Sequence, residues 1–205
     1  MPGNSEEATG ERAPIFIVGA PRSGTSLLRN LLNRHPAIGL CDETYYFYYV
    51  YRRRRAFGDL ADPAARQRLA DRYLATRRIR RLGVQLDQLA AHLLRDGTSY
   101  DAFFTTLLRF YASAQGKRRP GEKTPQHALF VEELCQWYPT GRIIHLVRDP
   151  RDVVASLLRM PWGGRTALAN ARLWRTCVTG AERACRRDNY LVVCYEELVD
   201  RKSVV

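Results

Sequence analysis

A strand, a tight loop and a helix follow one another directly in residues 15–36, which read IFIVGAPRSGTSLLRNLLNRHP. The run Ile15–Val18 is short and apolar, and a glycine follows it, which is typical of a strand buried on both faces of a parallel sheet. A helix beginning near Thr25 comes immediately after the loop. Because neighbouring parallel strands are usually joined by a crossover helix, this segment favours an α/β fold.

The same succession of strand and helix recurs later in the chain. Residues 142–147 (RIIHLV) and 190–194 (YLVVC) are predicted strands that each lead into a helix, and a weaker strand is predicted near Gly121–Pro125. This alternation predicts a central parallel sheet with right-handed crossovers, and ligands bound beyond the carboxyl ends of its strands. Further helices are predicted at 45–57, 63–81, 84–95, 100–115, 126–138 and 166–187, and those within about 45–115 form a helical insertion.

The loop after the first strand has the spacing of a phosphate-binding Walker A loop, but Thr25 occupies the lysine position. A loop that ends at a helix N-terminus binds oxyanions through free N–H groups and the helix dipole. Arg22 can supply the missing positive charge. The lack of the lysine, and of a strand ending in a magnesium-binding aspartate, disfavours an NTPase. The glycines that keep the spacing are Gly19 and Gly24, and the hydroxyl donors are Ser23, Thr25 and Ser26.

A second anion site is predicted in HLVRDPRDVVAS, residues 145–156. Arg148 projects from the carboxyl end of a strand, and Ser156 lies two turns along the next helix, so the two can hold a second phosphate well away from the loop. Asp149 and Asp152 are predicted to cap that helix and to hold the arginines. Arg151 is either a ligand contact or a surface arginine.

The formal charge of +12 favours an acidic ligand, a nucleic acid or an anionic surface. Nearly all of the positive charge is arginine, whose forked guanidinium suits phosphate and sulfate oxyanions. The basic runs 51–55 and 77–81 are predicted to be solvated helix faces, with docking of an acidic partner as the alternative. His127 and His145 are predicted to be structural, and Trp174 is predicted to pack in the core or at an interface.

Compartment and metal content are constrained by the absence of several patterns. The five cysteines contain no C-x-x-C pair, which favours a reducing compartment. No apolar run is long enough to cross a bilayer, and no signal peptide is recognisable, so a cytoplasmic protein is expected. No His/Cys cluster has metal-ligand spacing, and no metal is expected.

Four motifs together resemble the sulfotransferase family that uses 3′-phosphoadenosine 5′-phosphosulfate (PAPS), especially its bacterial and tyrosylprotein members. They are PRSGTS, EKTP, VRDPRDVVAS and YEELV, in this order, and the resemblance runs from about Ile15 to Val199. It implies a three-layer P-loop NTPase-like fold and PAPS as the donor. It also implies that the 5′-phosphosulfate lies on the loop, that Arg148 and Ser156 bind the 3′-phosphate, and that Tyr195 lies near the donor. The loop residues implied are Arg22, Ser23, Gly24, Thr25 and Ser26.

The resemblance also implies the catalytic residues. Glu43 corresponds to the general base that takes the acceptor's proton; Asp42 is its rival, and both carboxylates could instead cap the helix starting near Thr44. Lys123, oriented by Glu122, would stabilise charge on the leaving phosphate together with Arg22. The expected reaction is metal-independent transfer of a sulfuryl group to a hydroxyl or amine of a small molecule, glycan, lipid or peptide.

The chain is predicted to form one domain after an N-terminal tail. Residues 1–13 are predicted to be a flexible tail, and 14–205 a single domain. Family members continue beyond YEELV, so the C-terminal part of the family domain is expected to be missing.

The alternatives to a sulfotransferase are a P-loop small-molecule kinase, an inactive relative that binds only the donor, and a basic nucleic-acid-binding protein. The acceptor and the oligomeric state stay open, and no specific nucleic acid is expected as a partner.

Overall fold

The structure, a computed structural model, describes residues 13–184 and 188–200. The predicted tail lies outside these residues except for Ala13, and so does the end of the helix predicted at 166–187. Within the described ranges, no helix combines the length and apolar character needed to cross a bilayer. Among the residues that the structure describes, the sheet contains five strands. They are β1 Ile15–Gly19, β2 Ile38–Cys41, β3 Arg119–Lys123, β4 Arg142–Val147 and β5 Tyr190–Cys194.

Helices surround these strands in the sequence, so the predicted α/β class is confirmed. Short 3₁₀ helices span Tyr51–Arg53 and Pro125–Phe130. The α-helices are α1 Thr25–Leu32, α2 Tyr46–Tyr49, α3 Arg54–Phe57, α4 Pro63–Leu74, α5 Arg77–Arg80, α6 Leu86–Asp96, α7 Tyr100–Ala114, α8 Val131–Trp137, α9 Pro150–Leu158, α10 Ala167–Ala184 and α11 Tyr195–Asp200.

The chain divides into two compact units. The loop unit comprises 15–31 and the described residues from 123 onward; the insertion unit comprises 13–14 and 32–122. In the loop unit, β1 pairs in parallel with β4, and β4 with β5. A Cβ atom on Gly19 would lie 2.4 Å from the carbonyl oxygen of Leu146, so only glycine allows β1 and β4 to end this close together.

In the insertion unit, β2 pairs in parallel with β3. β2 was not predicted, because its four residues are too few for a recognisable pattern. A residue outside the strand helps to hold it: the Asn33 side chain donates to the Leu40 carbonyl (2.9 Å) and accepts from the Leu40 N–H (2.7 Å). The core beside it is aromatic, with Tyr46 stacked on Phe104 at a centroid distance of 4.5 Å.

Several predicted helices are interrupted. The one at 45–57 is split into α2, a 3₁₀ turn and α3, and the one at 63–81 breaks between α4 and α5. The second break has a local cause, because Thr76 is extended (φ −67°, ψ 141°) and its hydroxyl donates to the Tyr73 carbonyl. The helix predicted at 126–138 starts instead as a 3₁₀ helix at Pro125, before α8.

Candidate active site

The loop between β1 and α1 folds through two residues with positive φ. Arg22 has φ 72° and Gly24 has φ 91°. The Gly24 carbonyl accepts from the N–H groups of Leu27 (2.9 Å) and Leu28 (3.2 Å), which starts α1 directly after the loop. The first turn of α1 contains no acidic residue. The loop therefore presents the positive end of a helix dipole with no carboxylate in that turn to neutralise it.

Buried hydroxyl groups line the loop. Ser23 is fully buried, and its Oγ has no hydrogen-bond partner within the described residues. Thr25 is also buried, whereas Ser26 is exposed. A buried hydroxyl without a partner costs free energy that a bound oxyanion would recover. The loop thus fits the phosphate or sulfate group predicted for it.

Arg148 and Ser156 lie beside this loop. The Arg22 Nε donates to the Ser156 Oγ (3.0 Å), and the Arg148 Nη1 lies 3.4 Å from the Arg22 carbonyl oxygen as its donor. The expectation that the second anion site is well away from the loop was therefore wrong. The reason is that β1 and β4 are adjacent parallel strands, so the loops at their carboxyl ends meet.

Tyr195 lies between the loop and Arg148. A Cβ atom on Gly24 would be 2.3 Å from the Tyr195 ring, and the Arg148 guanidinium carbon is 4.5 Å from the ring centroid. Arg148 also pairs with Asp152 (3.0 Å), while its Nε is buried without a partner in the described part of the chain. Four residues predicted to contact the donor thus come together: Arg22, Arg148, Ser156 and Tyr195.

Asp149 has the capping role that was predicted for it. Its carboxylate accepts from the Arg151 N–H (2.8 Å) at the start of α9. It also pairs with the Arg151 side chain, and these hydrogen bonds lower the pKa of Asp149 to about 2. The Arg151 side chain is 88% exposed, so the structure favours the surface-arginine interpretation.

Lys123 is nearly fully buried at the end of β3, within the segment where a weaker strand was predicted. The neighbouring Glu122, in the insertion unit, is buried as well and accepts from the Thr44 hydroxyl (2.5 Å). Ionised groups are rarely buried without a structural or chemical role, because their desolvation is costly. Lys123 is therefore not an incidental solvent-exposed lysine.

Glu43 belongs to a separate cluster in the insertion unit, between β2 and α2. Its carboxylate forms an ion pair with Arg78 (3.2 Å), whose guanidinium lies 3.8 Å from the centroid of the Tyr45 ring. Tyr45 has an uncommon left-handed backbone (φ 50°). Burial and the nearby Glu43 charge raise the pKa of Tyr45 above its ordinary value.

The start of α2 bears on the alternative in which Asp42 and Glu43 cap this helix. The Tyr46 N–H at the start of α2 donates to the Thr44 hydroxyl, whereas the N-cap residue of this helix is Tyr45, which makes no side-chain capping hydrogen bond. Sequence reasoning missed Arg78, which was counted among a solvated basic face. Nothing local could have revealed this residue, since its partner lies 35 residues earlier.

The described part of the chain contains no group of three or more His, Cys, Asp or Glu side chains placed to hold a metal ion. What the fold and the loop define is an α/β protein with a P-loop-like turn between β1 and α1. The sulfotransferase family matches residues 14–203, and the chain belongs to this family.

The similar proteins cover the chain to different extents. It is 31% identical over 153 residues to nodulation protein NoeE of Sinorhizobium fredii, an alignment that covers 72% of this chain and 31% of NoeE. The chain thus spans about a third of that relative's length. Among solved structures, the sulfotransferase domain of the Synechococcus PCC 7002 olefin synthase has a TM-score of 0.60 at 22% identity, covering 94% of this chain and 70% of the domain.

The sulfotransferase domain from the curacin biosynthetic pathway has a TM-score of 0.62 at 20% identity. The alignment covers 93% of this chain and 70% of that domain. At these identities the likeness establishes the fold, which is the P-loop-like fold expected from the sequence.

Proposed function

We propose that the chain transfers a sulfuryl group from PAPS to a hydroxyl, or less readily an amine, of an acceptor. The observation that carries this proposal is the contact of Arg22 with Ser156, with Arg148 alongside. This contact places the loop, which suits one anion, next to Arg148 and Ser156, which suit a second anion. A nucleotide with a 5′-phosphosulfate and a 3′-phosphate carries two such anionic groups. Membership of the sulfotransferase family supports the reaction class.

In this proposal the loop residues hold the 5′-phosphosulfate. The buried Ser23 hydroxyl gains the partner that it lacks within the described chain, and Arg22 adds positive charge. Arg148 and Ser156 hold the 3′-phosphate, with Tyr195 supporting Arg148 through its ring. The further loop ligands are Gly24, Thr25 and Ser26.

The chemistry needs a base and positive charge. PAPS supplies a sulfuryl group attached to a good leaving phosphate. Glu43 takes the proton of the acceptor hydroxyl as the oxygen–sulfur bond forms. Lys123 and Arg22 stabilise the negative charge on the departing phosphate, so that adenosine 3′,5′-bisphosphate is released without a metal ion.

Binding calorimetry with adenosine 3′,5′-bisphosphate tests the donor site. We expect the wild type to prefer this ligand to ATP with magnesium, and Arg148→Ala to lose at least tenfold in affinity. Arg151→Ala is the matched control, because its side chain is largely exposed. A preference for ATP would instead support the kinase, and no binding by a folded sample would refute the donor site.

Transfer of radiolabelled sulfate from PAPS to a panel of hydroxyl acceptors tests the base. We expect Glu43→Gln to lower the rate by a factor of about 10²–10⁴ while bisphosphate binding is retained. Asp42→Asn, the rival carboxylate, is the control. A larger loss of rate in Asp42→Asn would reverse the assignment.

A DNA-binding assay tests the nucleic-acid alternative. Salt-sensitive binding of arbitrary DNA that is equal in the wild type and in Glu43→Ala would favour that alternative.

We further propose that the protein works in the cytoplasm. Cys41, Cys135, Cys177 and Cys194 are free thiols in the described chain, and three of them are buried. Burial raises the pKa of Cys177 to about 12, which keeps this thiol protonated. Cell fractionation followed by thiol labelling would test both the location and the reduced state.

A further inference from the structure

The peptide group between Arg148 and Asp149 is held at both of its polar ends. The indole Nε1 of Trp174 donates to the Arg148 carbonyl (3.0 Å), and the Asp149 N–H donates to the Glu196 carboxylate (3.0 Å). Trp174 lies on α10 and Glu196 in the first turn of α11. Two elements that are distant in sequence therefore fix one peptide plane.

This peptide is the corner at which the chain leaves β4 and enters α9. Arg148 follows the last residue of the strand, and Asp149 is the N-cap of the helix. Rotation of the plane changes the backbone dihedrals on either side, and with them the direction of the Arg148 side chain. The guanidinium would then leave both the Arg22 carbonyl and the Tyr195 ring.

We propose that Trp174 and Glu196 are positioning residues for Arg148, and that through it they set the selectivity for a nucleotide carrying a 3′-phosphate. This inference rests on the proposed function, in which Arg148 binds that phosphate. Neither residue needs to touch the nucleotide: each acts on the backbone that carries the arginine.

The charge of Glu196 separates this role from a direct electrostatic one. A carboxylate close to an anion site opposes anion binding, so any benefit from Glu196 must come from its hydrogen bond to the backbone. Glutamine keeps an acceptor oxygen at the same distance along the side chain and removes the charge. Glu196→Gln should therefore preserve selectivity, whereas Glu196→Ala should lose it.

Calorimetric affinities for adenosine 3′,5′-bisphosphate and adenosine 5′-monophosphate provide the test, expressed as their ratio. We expect Glu196→Ala and Trp174→Phe each to lower this ratio by about fivefold to tenfold, chiefly through weaker binding of the bisphosphate. Glu196→Gln should keep the wild-type ratio. The matched controls are Glu197→Ala, at an exposed neighbouring carboxylate, and Trp162→Phe, at an exposed indole.

A double variant shows whether the effect passes through the arginine. In the Arg148→Ala background, Glu196→Ala should cause no further loss of the ratio, because the side chain that it positions is gone. An additional loss there, an unchanged ratio in the single variants, or equal weakening of both nucleotides would each overturn the inference. If the wild type itself shows no preference for the bisphosphate, the proposed donor site fails, and the positioning role fails with it.

Discussion

At position 24 the loop tolerates no side chain, for two separate reasons. The backbone has φ 91°, and a Cβ atom would lie 2.3 Å from the Tyr195 ring. We expect Gly24→Ala to destabilise the fold by about 2 kcal/mol or more and to weaken bisphosphate binding, as measured by urea unfolding and calorimetry. Gly83→Ala is the control, since Gly83 has φ 71° and open space around it; its cost should be about 1 kcal/mol. Equal costs would mean that the contact with Tyr195 is unimportant.

His145 makes stability depend on pH. It is fully buried on β4, shares a 2.6 Å hydrogen bond with the Tyr190 hydroxyl, and burial lowers its pKa from 6.5 to about 4. As pH falls, the unfolded chain therefore binds the proton before the folded chain does. The free energy of unfolding is unaffected above about pH 6.5 and falls by about 3 kcal/mol in all as pH approaches 4.

Urea unfolding at several pH values between 7 and 4.5 measures this effect. His145→Gln should be less stable at pH 7 but should show a flatter pH dependence than the wild type. Gly83→Ala, which removes no titratable group and has open space around it, should keep the wild-type dependence. Parallel curves for the wild type and His145→Gln would contradict the assignment.

Among the elements, α4 depends on its N-cap. The Asp62 carboxylate accepts from the N–H groups of Ala64 (3.0 Å) and Ala65 (3.2 Å), and Pro63 occupies the first helical position. We expect Asp62→Ala to lower the free energy of unfolding by about 1 kcal/mol, measured by urea titration. Asp71→Ala, near the other end of the same helix, should change it by less than about 0.5 kcal/mol. A larger loss in the control would show that charge, and not capping, dominates.

The strands of the loop unit could be predicted because each is a local apolar run ending in a turn signal. β1, β4 and β5 lie where their side-chain patterns indicated. β2 could not be predicted, since its four residues are held by their parallel pairing with β3 and by two hydrogen bonds between Asn33 and Leu40. The broken helices of the insertion likewise depend on the conformation of single residues at the breaks, such as Val50 (φ −113°, ψ −68°) and Thr76.

The candidate site was predictable to the extent that its residues belong to contiguous motifs. Arg22, Arg148 and Ser156 were identified from their places after strands and along a helix. Their mutual contacts required knowing that β1 and β4 are neighbours. Trp174 and Glu196 were not identified, because each meets the Arg148–Asp149 peptide through the fold and not through sequence proximity. The assigned roles of Glu43 and Lys123 stay predictions.

For the whole molecule, the charge of +12 predicts how ligand binding responds to salt. We expect the affinity for adenosine 3′,5′-bisphosphate to fall severalfold between about 50 and 500 mM NaCl, since salt screens the attraction between the cationic protein and the anion. Uncharged adenosine is the control ligand, and its affinity should change little. A bisphosphate affinity that does not respond to salt would mean that its binding is not electrostatic.

The hydrogen bond from the Trp174 indole to the Arg148 carbonyl also gives the molecule an internal optical probe. Indole emission shifts with the electric field along the ring, and an anion arriving at Arg148 changes that field. In a variant with Trp137 and Trp162 replaced by phenylalanine, all of the indole emission comes from this one ring. Nucleotide arrival could then be followed in stopped-flow time courses without any attached dye.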